Sequence, residues 1–535
     1  MREWQDSERK KCVIAFVVIW VVQMAAAFYF CTQKQGFHED EYYTYYSTAR
    51  TNGFYVEDGQ WMDREVYRNE FVVLPEGRFQ YGLVKLVQSW DVHPPMYYWI
   101  FHTVASLVPN VFSKWIGLSV NLFFHGINII LMTCLSYLVS GHDIRLTLFA
   151  TLFLGLSSAA MSGVVFIRMY EMLTMLILLC AVLHIHAVKK NEKRLSVFRC
   201  LVPMAAVTYC GFLTQYYYFI FLFYLGIAFC VWLIHRDRNM GNCLRYGISQ
   251  GIAFALAYLT YPSCLGQMFR GQRGAQATEN FFDWSNTWER FQFFYDLMDR
   301  HVFGHMLSVL LLLILVFAVT VRRWNKVKFD ISYWILTFAA AGYFLTVSKT
   351  ALLLGDTSVR YQLPVYGIVV LLVFSAYKEL WRVMTASCME RRQYVKYVKC
   401  TETVAVILCF VVLLLGHWKD GVVFLYPEDR EQTTFAKECA KQETLAVYLY
   451  QPGEEWCVWD VTDELLMYPK VYFAAADRDG ILEDAVIQNA DSLVVYIAGG
   501  ADETEQIKRV SASMGEPEGY MRMFEEKYCT VWYIE

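Results

Sequence analysis

The stretch CVIAFVVIWVVQMAAAFYFC, residues 12–31, is followed after six residues by HEDEYY, residues 38–43. The first part lacks Asp, Glu, Lys and Arg, and it has about the 20 residues that a helix needs to cross a bilayer. Met1–Lys11 carries four basic residues, which favours a cytoplasmic N-terminus. We therefore expect an uncleaved membrane anchor, and a signal peptide cleaved near residues 25–27 is the alternative.

The rest of the chain repeats this apolar character. Of 535 residues, 56% are hydrophobic and 18% charged, and the mean hydropathy is +0.29, which is too apolar for an ordinary soluble protein. Further apolar runs predict spans near residues 115–139, 146–164, 170–188, 200–214, 216–234, 244–265, 302–321, 331–348, 361–377 and 401–418. With the first, these make eleven, and the basic clusters then alternate sides as the positive-inside rule requires. The net charge of −4 argues against a nucleic-acid partner.

This reading predicts an α-helical polytopic membrane protein of about eleven transmembrane helices with a small C-terminal extracytoplasmic α/β domain. Its parts are a cytoplasmic N-terminus (1–11), a transmembrane domain (12–418) that includes the first outside loop (32–114), and an outside domain (419–535). The tail alternates short apolar runs with charged helical stretches, as small α/β domains do. Cys457 and Cys529 lie in it, either as a disulfide or as buried thiols.

The first outside loop carries two unusual polar segments. Asp40 and Glu41 stand among three consecutive carboxylates close to the membrane, where a charged cap at the interface is the plainest explanation. Later, His93 precedes a Pro-Pro pair and an aromatic run, a pattern typical of an interfacial helix.

Two arginines end predicted spans on the same outer side. Arg168 and Arg360 can each be explained singly as side chains that snorkel to the interface. An ionisable group in a membrane costs roughly 2.5–3.5 kcal/mol on insertion scales, and it indicates a function by default. Carboxylates, arginines and aromatic residues on one face suit group transfer from an anionic lipid.

Together these pieces resemble the GT-C membrane glycosyltransferases that use polyprenyl-phosphate sugars, in particular the protein O-mannosyltransferase and aminoarabinose-transferase relatives of glycosyltransferase family 39. The resemblance covers about residues 12–380. The matching pieces are Asp40-Glu41, Asp91-x-His93-Pro94-Pro95-x-Tyr97-Tyr98, Arg168-x-Tyr170, Thr214-Gln215-Tyr216 and Arg360-Tyr361-x-x-Pro364. Gln215 departs from the pattern, because relatives often have His there, and this puts a proton-transfer or metal role for that position in doubt.

The resemblance implies direct displacement at the anomeric carbon with inversion. A lipid phosphate is a good leaving group, so one carboxylate suffices to accept the proton of the acceptor hydroxyl. We expect Asp40 to be this base, with Glu41 orienting it or binding the acceptor or a metal. Arg168 and Arg360 are expected to hold the donor phosphate, and His93 to contact it or to brace the interfacial helix.

The remaining expectations concern the pocket, the metal and the partners. The predicted pocket residues are Tyr42, Tyr97, Tyr170, Gln215 and Tyr361. A divalent metal could draw ligands from His38, Asp40, Glu41 and His93, but the mannosyltransferase-like branch implies that none is required. The expected partners are a polyprenyl-phosphate sugar donor, a protein, polysaccharide or glycolipid acceptor and the lipid bilayer, with no nucleic acid.

Two other functions fit a polytopic chain. A transporter or flippase of lipid-linked sugars would place its substrate near the bilayer midplane between repeated halves, and this sequence shows no such repeat. A membrane scaffold would tolerate replacement of Asp40 and Glu41. The style of the loops and the lack of a eukaryotic retention signal favour a bacterial plasma membrane.

Overall fold

The computed structural model describes residues 2–49, 57–269, 271–321, 326–389, 392–478, 481, 483–515 and 519–535. These fall into two compact units. The first, here called the helical unit, comprises Met1–Thr32, Gln88–Tyr97 and Leu118–Val423. The second, the sheet unit, comprises Gln33–Val87, Tyr98–Gly117 and Phe424–Glu535.

Helices make up most of the described chain. The first twelve are α1 (Arg2–Gln33), α2 (Glu39–Ala49), α3 (Arg64–Asn69), α4 (Tyr81–Trp90), α5 (Met96–Leu107), α6 (Lys114–Val139), α7 (Ile144–Gly155), α8 (Ser158–Val165), α9 (Tyr170–Lys190), α10 (Val202–Phe212), α11 (Tyr217–Asp237) and α12 (Gly241–Thr260). The others are α13 (Ser263–Phe269), α14 (Gln272–Phe282), α15 (Thr287–His301), α16 (Leu307–Thr320), α17 (Ile331–Thr350), α18 (Val359–Met389), α19 (Arg392–Asp420), α20 (Asp429–Lys441), α21 (Thr462–Leu465), α22 (Ala485–Gln488) and α23 (Glu503–Ser513).

Seven helices in the described part of the chain are long and apolar enough to cross a membrane, namely α1, α6, α9, α11, α17, α18 and α19. The number rises to nine if two bent pairs each count as one span: α7 with α8, bent by 56°, and α12 with α13, bent by 100°. Val197–Phe212 and Leu307–Thr320 are shorter apolar helices. Each of the eleven predicted stretches therefore forms apolar helix in a multi-pass membrane protein, but eleven full spans are not confirmed.

The predicted span 146–164 is broken in the middle. Helix α7 ends at Gly155, and Ser157 starts α8 by accepting a hydrogen bond from the Ala160 amide on its hydroxyl. Because a serine cap favours a new helix start over continuation, the chain bends there. After the bend, α8 ends at Val165, and residues 166–169, which include Arg168, connect it to α9.

The sheet unit contains six strands in the order β1-β3-β2-β4-β6-β5. They are β1 (Gln60–Asp63), β2 (Leu445–Tyr450), β3 (Lys470–Ala475), β4 (Leu493–Ala498), β5 (Tyr520–Glu525) and β6 (Cys529–Ile534). Strand β2 runs parallel to β3 and β4, and the other pairs are antiparallel. All six residues of β4 are buried, as in a central strand covered on both faces.

Strand β1 comes from the first loop and not from the tail. Gln60 pairs with Phe473, and Asp63 pairs with Lys470, so β1 forms the antiparallel edge of the sheet. The boundary drawn from sequence placed this loop with the transmembrane helices, whereas most of it belongs to the sheet unit. Cys457 and Cys529 are buried free thiols, the second of the two states that the sequence left open.

Candidate functional site

Arg168 lies in the short connection between α8 and α9 of the helical unit. Arg168 is 3% exposed. Asn121 on α6 shapes this connection, because its Nδ2 donates to the carbonyl of Val164 over 3.0 Å and to that of Phe166 over 2.6 Å. Tyr97 in turn donates its hydroxyl to Asn121 Oδ1 over 3.2 Å. Tyr97, which was predicted to line the pocket, therefore supports the connection that carries Arg168 through its hydrogen bond to Asn121.

His93 and Asp91 lie beside Arg168. Arg168 Nη2 is 3.4 Å from His93 Nδ1, and that nitrogen is 3.2 Å from Asp91 Oδ2. Burial raises the pKa of Asp91, but the hydrogen bond with His93 and the charges of His93 and Arg168 outweigh it, so the pKa lies below its ordinary value. Asp91 is therefore a carboxylate at neutral pH, and sequence reasoning quoted it in a motif without giving it a role. The Asp-x-His spacing of residues 91–93 was the sequence signal that could have identified Asp91 as a partner of His93.

The backbone at Asp91 is held by residues at the end of α12 and in α13. Gln267 on α13 donates its amide to the Gln88 carbonyl over 2.8 Å and to the Asp91 carbonyl. Tyr261 donates its hydroxyl to the same Gln88 carbonyl over 2.6 Å. The 100° bend between α12 and α13 carries Gln267 into this position. The Asp91–His93 segment is thus fixed by tertiary contacts, because it lies in a connection between helices.

Arg360 begins helix α18 and is 4% exposed. Its guanidinium carbon lies 5.2 Å from the Phe166 ring centre and 5.1 Å from the Tyr361 ring centre, within cation–π range. The Phe166 ring is 5.9 Å from Tyr170, which lies 6.1 Å from Tyr361. The structure therefore gathers the two predicted arginines, His93, Tyr170 and Tyr361 around Phe166 and its connection.

Helix ends add to the positive character of this group. Both α9 and α18 start next to it, at Tyr170 and Val359. The N-terminus of a helix carries partial positive charge and unpaired amide groups, and it favours anions. The group defined by Asp91, His93, Arg168 and Arg360, here called the arginine site, therefore suits a phosphate.

Gln215 is placed differently from the other predicted residues. It is 8% exposed, lies in the turn between α10 and α11, and accepts a hydrogen bond from the Tyr216 amide over 2.7 Å. This bond closes its own turn. Its described contacts give Gln215 a local structural task.

Asp40 and Glu41 lie in the sheet unit, in the first turn of α2. Glu41 is fully buried, and its Oε2 accepts from Lys34 Nζ over 2.9 Å and from the His38 amide over 2.7 Å. A glutamate that reaches back to the amide before its helix is one half of a capping box. Glu41 thus anchors the start of α2.

The carboxylates of Glu39 and Asp40 are partly exposed, unlike that of Glu41. The Asp40 side chain is 29% exposed, whereas that of Glu41 is 0% exposed. Glu39 lies 3.3 Å from Lys527 Nζ. His38 Nδ1 accepts from the Asp40 amide over 3.1 Å, so this nitrogen carries no proton to share with the carboxylates near it. The Asp40 carboxylate is thus partly accessible, and its role as the base stays a prediction.

Tyr42 is a fully buried core residue of the sheet unit. Its hydroxyl accepts from the Asp463 amide over 3.1 Å, and its ring packs 5.2 Å from Phe37 and 5.9 Å from Phe71. Burial, together with Asp463, raises its pKa well above the ordinary value. Its contacts are those of a brace that holds α2 in place.

Several carboxyl groups near Tyr42 were not identified from the sequence. Burial first, and then neighbouring carboxylates, raises the pKa of Asp429 to about 8 and that of Glu526 to about 7. Burial likewise raises the pKa of Asp460 and Asp463 to about 6. These groups come from three separate segments of the chain, so no single local pattern marks them.

No group of three or more His, Cys, Asp or Glu side chains suited to a metal ion occurs among the residues that the structure describes. The donor sets predicted for a divalent ion therefore do not appear there as a ready cluster. That the reaction requires no metal stays a prediction.

Comparison with known proteins gives a structural match alone. No protein-family model and no curated protein sequence matches the chain. ArnT from Cupriavidus metallidurans bound to undecaprenyl phosphate aligns with a TM-score of 0.52 and 11% identity over 97% of this chain and 97% of ArnT. The apo form of that protein aligns with a TM-score of 0.47 at 11% identity over 96% and 97% of the two chains.

A third solved structure is that of the Archaeoglobus fulgidus oligosaccharyltransferase tethered to an acceptor peptide with the NVT sequon. It aligns with a TM-score of 0.40 and 11% identity over 95% of this chain and 74% of that one. At 11% sequence identity, the alignment with ArnT along nearly its whole length shows a shared fold and nothing further. The chain has the same fold as ArnT, a polytopic helical membrane architecture with a small sheet domain, which is the fold that the resemblance to GT-C enzymes implied.

Proposed function

We propose that this protein is a membrane glycosyltransferase that moves a sugar from a polyprenyl-phosphate donor to an acceptor hydroxyl on the outer face of the membrane. The observation that carries the proposal is the arginine site, two nearly buried guanidinium groups with a histidine at the ends of membrane helices. The match to ArnT supports it, because that structure holds undecaprenyl phosphate, a donor's lipid carrier.

The arginine site binds the phosphate of the donor. A guanidinium offers paired donors that match phosphate oxygens, and such charge-assisted bonds are about twice as strong as neutral ones. Asp91 Oδ2 lies 3.2 Å from His93 Nδ1 and orients the ring, whose two nitrogens lie 3.4 Å and 3.5 Å from Arg168 Nη2. Together these groups stabilise the charge that grows on the phosphate as it leaves.

The transfer is a single displacement. The acceptor oxygen forms a bond to the anomeric carbon, the bond between that carbon and the phosphate oxygen breaks, and the polyprenyl phosphate leaves with the electron pair. Asp40 accepts the proton of the acceptor hydroxyl, and the carbon inverts. Glu41, with its oxygen on Lys34 and on the His38 amide, holds the turn that presents Asp40.

Pocket and partner assignments follow from the same proposal. Tyr170 and Tyr361 line the arginine site, Tyr97 and Gln215 support the helical unit, and Tyr42 belongs to the core of the sheet unit. The acceptor is a protein, polysaccharide or glycolipid hydroxyl, and the membrane is a bacterial plasma membrane. The transporter hypothesis gains no support from any observation on the described residues.

The test is a donor assay on the purified full chain in detergent. A panel of radiolabelled undecaprenyl-phosphate sugars is offered with and without chelator to the wild type, Asp40→Asn and Arg168→Ala. We expect Asp40→Asn to lose about 10²–10⁴-fold in turnover while it still binds donor. Arg168→Ala should instead lose donor affinity.

Glu65→Gln, at a surface position with a 68% exposed side chain, is the matched control and should keep full turnover. Turnover of Asp40→Asn near the wild-type rate would remove Asp40 as the base. Donor binding that Arg168→Ala leaves unchanged would remove the phosphate assignment.

A further inference from the structure

Glu171 is an ionisable residue inside the helical unit that the proposed transfer does not use. It lies in the first turn of α9, and its side chain is 3% exposed. Helix α9 is one of those long and apolar enough to span a membrane. Because an ionisable group in such a helix is costly, its presence indicates a function.

Two side chains of α6 hold the Glu171 carboxylate. Asn128 Nδ2 donates to Glu171 Oε2 over 2.8 Å and to the Glu171 carbonyl over 3.0 Å. His125 Nδ1 lies 3.4 Å from the same carboxylate oxygen. His125 and Asn128 are three residues apart, so they share one face of α6. Among the described residues no lysine or arginine pairs with Glu171, and His125 is its ion-pair neighbour.

A cavity of about 40 Å³ lies against this group inside the helical unit. Its polar wall consists of Gln23 on α1, His125 and Asn128 on α6, Thr151 on α7 and Glu171 on α9. One water needs roughly 10–15 Å³ of such space, so the cavity has room for about three water-sized particles.

Three buried atoms on the cavity wall have no hydrogen-bond partner within the described part of the chain: Gln23 Oε1, Asn128 Oδ1 and His125 Nε2. The amide nitrogen of Gln23 donates to the Thr151 carbonyl over 3.2 Å, and its oxygen lies beside Gly155, another residue that lines the cavity. Amide oxygens can only accept, and a His125 that points an N–H at Glu171 presents its second nitrogen as an acceptor. The unpartnered atoms thus call for a positively charged or hydrogen-donating occupant.

We propose that this cavity binds a small monovalent cation, for which Na⁺ is the best fit, with Glu171 as its counter-charge and the amide oxygens of Gln23 and Asn128 as neutral ligands. One carboxylate balances one positive charge, whereas a divalent ion would leave a charge uncompensated away from water, which is costly. Hard cations prefer oxygen ligands, and the wall offers them from three different helices. The bound ion would tie α1, α6 and α9 together directly behind Arg168.

The test measures binding on the full chain in detergent, without any activity assay. Thermal unfolding is followed in NaCl, KCl and choline chloride at constant ionic strength, together with equilibrium binding of radioactive Na⁺. We expect a saturable rise of the unfolding midpoint with Na⁺, on the order of a few degrees, and a weaker effect of K⁺.

Two variants remove ligands in different ways. Glu171→Gln removes the counter-charge, and Gln23→Met removes a neutral ligand while it keeps the volume; each should weaken Na⁺ binding by roughly tenfold or more. Thr208→Val is the control, because buried Thr208 donates to Gln250 over 2.6 Å away from the cavity wall. It should lower the midpoint and keep the dependence on Na⁺.

Three results would overturn the proposal. Equal midpoints in Na⁺, K⁺ and choline, without bound radioactive Na⁺, would mean that water alone fills the cavity. A midpoint that follows pH but not Na⁺ would mean that a proton on Glu171 neutralises it. Sodium binding that survives in both Glu171→Gln and Gln23→Met would place the ion elsewhere, and Gln23→Met decides the matter if Glu171→Gln does not fold.

Discussion

Replacing Lys34 by methionine removes the ion-pair partner of Glu41 and leaves a carboxylate buried in the sheet unit. Both side chains are 0% exposed, and their charged atoms are 2.9 Å apart. Removing one member of a buried pair costs about 3–5 kcal/mol, because the other charge stays away from water and loses its counter-charge. Since a domain is stable by about 5–15 kcal/mol, Lys34→Met should unfold the sheet unit at much lower temperature or denaturant.

The double variant Lys34→Met with Glu41→Gln separates charge from packing. Neutral replacements of a buried pair are often without net cost, so the double variant should recover most of the loss. A remainder of about 1 kcal/mol is expected, because Lys34 also donates to the Phe424 carbonyl over 2.8 Å and that bond is absent in both variants.

The assay is urea unfolding of the full chain in detergent, read by pulse proteolysis of the C-terminal segment. Asp40→Asn is the control for stability: its side chain is 29% exposed, so it should change the unfolding free energy by no more than about 0.5 kcal/mol while transfer is lost. If Lys34→Met unfolds within about 1 kcal/mol of the wild type, or the double variant is no better than the single one, the buried ion pair does not hold this turn.

Three further predictions concern the same two units. The sheet unit should lose stability as the pH rises from about 4 to about 8, because the folded state raises the pKa of its buried carboxyl groups above the unfolded value near 4. These groups favour the fold while they are protonated, and their contribution is lost as the pH passes the folded pKa values. Asp429→Asn should flatten the profile of unfolding midpoint against pH, and an unchanged profile would contradict this. Gly36→Ala should destabilise the unit by about 1–3 kcal/mol in urea unfolding, because the added carbon would overlap Asp429 Oδ2, and a neutral effect would mean that Asp429 moves freely. Asn121→Leu should lower the unfolding midpoint and reduce donor affinity, since it removes the Asn121 amide from the carbonyls of Val164 and Phe166, although the Phe166 carbonyl keeps the Arg168 amide as a donor. Donor affinity at the wild-type level would separate Asn121 from the Arg168 connection.

Hydropathy and turn signals anticipated much of the helical unit. A membrane helix satisfies its own backbone within one apolar stretch, so the signal for each helix is local in sequence. The division of 146–188 and of 200–235 into separate helices is confirmed, with breaks at residues 166–169 and 213–216. The bend after Gly155 was missed, since a serine inside an apolar run is a weak mark by itself.

The candidate site was anticipated in part. Motif spacing singled out Arg168, His93 and Arg360, and the structure places all three around the Phe166 connection. The division of labour between Asp40 and Glu41 was not visible, because it depends on Lys34 and on how deeply each side chain is buried.

The sequence by itself determined that the chain is a polytopic membrane protein, that its tail is an α/β domain, and which polar residues stand out from the apolar background. These properties depend on composition and on spacing within single segments. Only the tertiary structure decided that β1 of the first loop completes the sheet, that Asp91 orients His93, and that Gln23, Asn128 and Glu171 from three helices face one cavity. Such pairings join residues that are far apart in the chain, and they depend on packing and burial, which no local pattern records.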